Sequence, residues 1–335
     1  MARQLSLKHQ RQRGLAFWFQ SPQVVRRSSQ SSPIRLHSSP LTRSTLPQDP
    51  QLRMNLPSIR NSRIKLPLGQ VFWREIGQGP TLVFLHGAWN DGSQWLSVIE
   101  QLNQNYHCFA PDLLGFGESE QPKLHYSIQL EVECLSQYLE ALHTSQVYLV
   151  GHSLGAWIAA SYALKYPEQV SGLVLIAPNG VQTQGKHIDV SLSRAWLVHP
   201  PIAYWMARMI YPLARLLGRH KSIEQAIKQR KQILSSPTAC KLLLQRRRTE
   251  LQAELLQEQL EWLNVPTRIL QGAKDTPDAI ARAQTYGNGI PNADLKMIEQ
   301  GGNDLPEALP GLVARHIDDF VARVEDWNVE RMERS

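Results

Sequence analysis

Short apolar runs at residues 71–76, 81–85, 107–110, 147–150, 173–177, 267–270 and 295–298 recur along this chain with turn-forming residues behind them, and helical patterns fill most of the gaps. Runs that are apolar at every position bury both faces, which is the pattern of a mostly parallel sheet covered by helices on either side. Ser127 opens one of those helices, with Ile128, Leu130, Val132, Leu135, Leu139 and Leu142 at roughly helical spacing; 154–165, 280–286 and 309–324 read as others. The alternation stops between Val181 and Leu263. That segment is helical in pattern, basic, and rich in Trp196, Tyr204, Trp205, Met206, Met209 and Tyr211. The expected organisation is therefore an α/β core of residues 56–181 and 263–335, with residues 182–262 as a helical cap inserted before the last two strands.

Residues 1–55 stand apart. The stretch is rich in Arg, Ser, Gln and Pro and has no acidic residue before Asp49, a composition that cannot build a packed core. It reads either as a transit-like extension or as a start assigned too far upstream, with Met54 as the first residue. The whole-chain charge of +7 conceals an asymmetry: residues 1–48 and 182–262 hold the basic excess, and the rest is acidic. A nucleic-acid-binding role is not supported by that distribution. The three cysteines, Cys108, Cys134 and Cys240, are widely spaced without a C-x-x-C pair, which argues against disulfides or a zinc site and fits a reducing compartment. The expected location is cytoplasmic, or a plastid or mitochondrion if the extension is a transit peptide. No run of apolar residues is long enough to span a bilayer as a helix.

The chemistry concentrates at Gly151-His152-Ser153-Leu154-Gly155, which follows an apolar strand and precedes the helix that begins at Ala156. Flanking glycines permit the sharp turn that holds a serine Oγ above a sheet, and the next backbone N–H can donate to an oxyanion. One further stretch has the context such a serine needs. Gly272-Ala273-Lys274-Asp275 ends a later strand with an orienting carboxylate, although Asp275 also suits a turn before Thr276-Pro277.

With these residues the chain resembles the α/β-hydrolase fold family. Leu85-His86-Gly87-Ala88-Trp89 is similar to that family's H-G loop, where Ala88 or Trp89 would join Leu154 as the oxyanion hole. Pro111 to Ser119 is similar to its D-x-x-G-x-G-x-S loop, and residues 182–262 match its cap. The resemblance covers about residues 64–325 and implies a hydrolase of a small hydrophobic ester, thioester or related carbonyl compound. Ser153 would be the nucleophile and Asp275 the orienting acid, with no metal or organic cofactor; the family's alternative acid position, after the strand at 173–177, falls at Asn179, an amide, which leaves Asp275 as the acid candidate. Asn303 departs from the pattern: in Gly301-Gly302-Asn303 it stands where the family has its catalytic histidine, and an amide cannot act as a base. The alternative is an impaired pseudo-hydrolase that binds a small apolar ligand or a partner.

Other histidines are candidate substitutes for the missing base. His152 is expected to turn into the protein, His86 to hold its loop and His316 to lie in the final helix, while His187, His199 and His220 fall in the cap. The cap residues Trp196, Trp205 and Met206 are expected to line the substrate pocket. Its basic positions, Arg208, Arg215 and Arg219, suit either a peripheral contact with an anionic membrane or an ordinary solvated face. Arg246-Arg247-Arg248 reads as a solvated helix face. Composition leaves the oligomeric state open.

Overall fold

The computed structural model describes residues 58–182, 236–291 and 293–333. Its centre is an eight-stranded sheet in the order β1-β2-β4-β3-β5-β6-β7-β8. The strands are β1 (Arg60–Lys65), β2 (Gln70–Ile76), β3 (Thr81–Leu85), β4 (His107–Pro111), β5 (Val147–His152), β6 (Val170–Ile176), β7 (Thr267–Gly272) and β8 (Asp294–Ile298). β2 runs antiparallel to both β1 and β4, and every other neighbouring pair is parallel.

The apolar runs are explained by burial on both faces. In β3, Val83 and Leu85 join one core while Leu82 and Phe84 join the other; in β5, Val147 and Leu149 alternate with Tyr148 and Val150 in the same way. Two helices cover the first face, α2 (Ile128–Ala141) and α3 (Leu154–Lys165), and two cover the second, α1 (Leu96–Leu102) and the long C-terminal helix. Another helix, α4 (Pro277–Gly289), packs along β7 and β8, and the chain closes with α5 (Pro310–Glu333). Ser127 caps α2 as its sequence suggests, its hydroxyl accepting from Leu130 N at 3.0 Å.

The structure adds and corrects elements. β1 lacks an apolar run because it is an edge strand whose side chains are largely exposed, and Ile64 is its one large apolar residue. β6 ends at Ile176, one residue before the expected end, because Ala177 turns to φ 44°. Residues 236–262 form short helical turns, Pro237–Ala239, Cys240–Gln245, Arg248–Ala253 and Leu260–Trp262. Arg246 is not part of a solvated face: it is buried and paired with the Glu254 carboxylate, whereas Arg247 and Arg248 are exposed. Residues 1–55, Trp196, Trp205 and Met206 lie outside the described residues, as do the cap arginines and His187, His199 and His220. Among the described residues, no helix is long and apolar enough to cross a membrane.

Candidate active site

The turn at Ser153 joins β5 to α3 at the end of the sheet where the parallel strands finish. Ser153 adopts φ 53° and ψ −104°, a conformation that a residue with a Cβ reaches only under strain. The glycines on either side make the approach of strand and helix feasible. A Cβ on Gly155 would lie 2.1 Å from Leu85 O, and one on Gly151 would lie 2.5 Å from Ala156 N. Leu154 is the first residue of α3, so its N–H has no partner inside the helix.

The H-G loop packs beside this turn. A Cβ built on Gly87 would sit 3.7 Å from Ser153 Cβ and 2.8 Å from His152 Nδ1. Ala88 is buried and Trp89 half-buried, so both candidate oxyanion donors lie in the loop that abuts the serine. His86 fixes the loop's other side. Its Nδ1–H donates to Gly87 O at 2.8 Å and its Nε2 accepts from Leu113 N at 3.0 Å, which assigns a neutral ring; burial lowers its pKa in keeping with that. The glycine-rich loop after β4 is structural. Asp112 is fully buried and accepts from Arg74 Nη1, Gly92 N and Glu118 N, each at 2.7 Å. Gly117, at φ +49°, is needed because a Cβ there would lie 2.1 Å from the Asp112 carboxylate.

Asp275 and Asn303 are brought together by a close crossing of the loops after β7 and β8. Gly272 has no room for a Cβ, which would fall 2.2 Å from Gly302 O, and Lys274 N donates to Gly301 O at 2.9 Å. Asn303 Nδ2 then donates to Asp275 Oδ2 at 3.1 Å. Gln271 Nε2 donates to the same oxygen at 3.1 Å, while Asp275 Oδ1 accepts from Thr276 N at 2.6 Å. Asp275 thus both orients Asn303 and shapes the turn into α4.

Ser153 Oγ accepts a hydrogen bond from Asn179 Nδ2 at 2.9 Å. Asn179 is itself held by Ser153 O, which accepts from its backbone N at 3.2 Å, and by Tyr286 Oη, which donates to its carbonyl at 2.6 Å. Sequence reasoning treated Asn179 only as a missing acid, and no periodicity or charge marks it as the serine's partner. His152, by contrast, is fully committed. Its Nε2–H donates to Asn303 O at 2.8 Å, Nδ1 accepts from Gln94 Nε2 at 2.9 Å, and burial lowers its pKa to about 4. His316 sits in α5 with its carbonyl accepting from Arg268, near the start of β7 and the opposite end of that strand from Asp275. Among the described residues, no cluster of His, Cys, Asp and Glu could hold a metal ion.

A family model described as alpha/beta hydrolase fold matches residues 80–306, which run from β3 through the Asn303 loop. The chain belongs to the α/β-hydrolase fold family. Within that family it is similar to the hydrolase YugF of Bacillus subtilis, at 28% identity over 72% of this chain and 89% of the relative. It is also similar to the monoacylglycerol lipase ABHD6 of Homo sapiens, at 27% identity over 75% of this chain and 77% of the lipase. A thermophilic esterase from Thermogutta terrifontis shares the fold at a TM-score of 0.62 and 21% identity, covering 79% of this chain and 99% of the esterase. The strand end, the helix start and the H-G loop meet at Ser153, and the loop carrying Asn303 reaches the neighbouring His152 through the bond from His152 Nε2 to Asn303 O.

Proposed function

We propose that this α/β hydrolase takes a small hydrophobic ester, thioester or related carbonyl compound at Ser153, and that its acyl transfer is impaired because Asn303 stands in the place of the catalytic histidine. In this reading Ser153 is the nucleophile, Asp275 the orienting acid, and the N–H groups of Leu154 and of Ala88 or Trp89 form the oxyanion hole. The observation that carries it is the hydrogen bond from Asn303 Nδ2 to Asp275 Oδ2. The carboxylate meets an amide N–H where an imidazole N–H would otherwise meet it, so the acid keeps a partner and the serine loses its base. An amide nitrogen has no lone pair available to take the Ser153 proton. Loss of the histidine from a serine triad costs about a millionfold in turnover in the best-measured protease, and about a thousandfold over water survives through the oxyanion hole and binding. The similarity to a monoacylglycerol lipase supports an ester as the substrate.

A second reading, a binding protein for a small apolar ligand, is favoured by the bond from Asn179 to Ser153 Oγ, which ties the hydroxyl to a neutral amide donor and not to a base. One comparison separates the two. Wild type, Ser153→Ala and Asn303→His are treated with a fluorophosphonate probe and assayed on short and medium acyl esters. Activity that rises sharply in Asn303→His and vanishes with Ser153→Ala supports an intact nucleophile and hole lacking their base. Prompt Ser153-dependent turnover in wild type would overturn the impairment, and silence in both wild type and Asn303→His would favour the binding protein.

A further inference from the structure

Gln94 belongs to none of the motifs, yet its side chain meets three segments around Ser153. It lies on the turn Gly92–Trp95, which Asp91 caps by accepting from Ser93 N, and its neighbour Trp95 is fully buried against Phe84 with ring centroids 5.3 Å apart. The rigid turn and the anchored tryptophan aim the Gln94 amide into the site. Gly87 N donates to Gln94 Oε1 at 3.0 Å, and only an oxygen can face that N–H. The amide nitrogen therefore points the other way, with two hydrogens to place. One goes to His152 Nδ1 at 2.9 Å and the other to Glu307 Oε1 at 2.8 Å.

These assignments leave no freedom further along. Because His152 Nδ1 accepts, the ring of a neutral His152 carries its proton on Nε2, which donates to Asn303 O at 2.8 Å. Glu307 Oε1 also accepts from Asn90 Nδ2 at 2.8 Å, so the same carboxylate holds the far side of the H-G loop. Burial raises the Glu307 pKa, while the bonds from Gln94 and Asn90 oppose that shift.

We propose that Gln94 is the positioning residue that keeps the H-G loop in register with the loop carrying Asn303, acting through His152 on one side and Glu307 on the other. The candidate oxyanion N–H groups of Ala88 and Trp89 directly follow Gly87, so a tilt of the Gly87 peptide moves them. A reacting constellation tolerates roughly 0.5 Å of such displacement. The catalytic consequence rests on the reading of Ser153 as the nucleophile; the mechanical coupling does not.

The test uses the full chain, in wild-type and Asn303→His backgrounds, with Gln94→Leu, Glu307→Ala and Glu307→Gln. Nitrogen NMR reads the His152 ring nitrogens, amide hydrogen exchange reads residues 87–90 and 301–303, and fluorophosphonate labelling reads Ser153. Gln94→Leu is expected to shift the Nδ1 resonance, which loses its donor while Asn303 O keeps the proton on Nε2, and to speed exchange at least tenfold in both loops together. In the Asn303→His background it is also expected to slow labelling at least tenfold. Glu307→Ala moves the same readouts in the same direction and decides the matter if Gln94→Leu does not fold. Glu307→Gln, whose amide oxygen still accepts both bonds, stays close to the parent. An unmoved Nδ1 resonance, or faster exchange confined to one loop, would overturn the coupling. Coupled exchange with unchanged labelling would overturn the catalytic part. If Asn303→His labels no faster than wild type, the functional reading fails, while the Nδ1 resonance and exchange still decide the role of Gln94.

Discussion

Replacing Ser153 by alanine or by glycine removes the same hydroxyl, and the same hydrogen bond from Asn179, so the difference between the two variants isolates the backbone. Ser153 holds φ 53° and ψ −104°. A residue with a Cβ in such a region costs about 1–3 kcal/mol, and glycine avoids most of that strain. Glycine in turn loses about 0.4–1 kcal/mol through the greater freedom of its unfolded chain. The net expectation is that Ser153→Gly is more stable than Ser153→Ala by about 1 kcal/mol. At an unstrained helical site the order is reversed by a similar amount, since alanine is the better helix former. Relative to wild type, Ser153→Ala should lose about 1 kcal/mol for the missing bond, and Ser153→Gly should fall near wild type. Urea unfolding at fixed pH measures the difference, and in a chain of this size 1 kcal/mol moves Tm by about 1–2 °C. An alanine variant as stable as the glycine variant would show that the turn stores no strain, and the claim that the fold pays to present this serine would fall.

Three other consequences are open to direct measurement. Gly155→Ala forces a Cβ to within 2.1 Å of Leu85 O, a backbone atom that cannot step aside, whereas at Gly302 the nearest atom is Asp304 Oδ1 at 3.1 Å. Thermal melts should show a loss of about 3 kcal/mol or more for the first and under about 1 kcal/mol for the second; equal losses would contradict the close strand-helix approach. Glu131 is fully buried on α2, where burial pushes its carboxyl up to about 8 and Leu114 N donates to it at 3.2 Å. The folded state then holds a proton that the unfolded chain releases at ordinary carboxylate pH, so this group's contribution is present in acid and is lost as pH rises toward and through about 8. Glu131→Gln should flatten that decline in urea-derived stability between acid and alkaline pH, and parallel curves for the two proteins would refute it. Asn179→Ala, which removes the donor to Ser153 Oγ, should lower stability by about 1 kcal/mol, and a neutral result by calorimetry would mean that the bond adds nothing.

The sheet was legible because both its faces are buried. Residues 82–85 and 147–150 are apolar at every position for that reason, and the structure distributes them alternately between two cores. β1 escaped notice because R-N-S-R-I-K lies at the sheet edge, where pairing with β2 rather than burial makes the strand. Ser153, Asp275 and Asn303 were legible by their place behind strands. Gln94 and Asn179 were not. An amide has no charge to perturb and no fixed spacing to obey, so its importance appears only when loops from distant parts of the chain converge. Arg246 failed in the opposite direction, since a run of three arginines suggests solvent until Glu254 is seen to fold against the first of them.

The central claim is that the site keeps its nucleophile and hole and lacks only the base at position 303. The pH profile of Ser153 phosphonylation in wild type and Asn303→His tests it most directly. A restored imidazole beside Asp275 should make labelling of Asn303→His much faster, rising with pH through the histidine range near 6.5. Wild type should label slowly and show no inflection there. Fast wild-type labelling with an inflection near neutrality would place an active base elsewhere in the protein and contradict the claim.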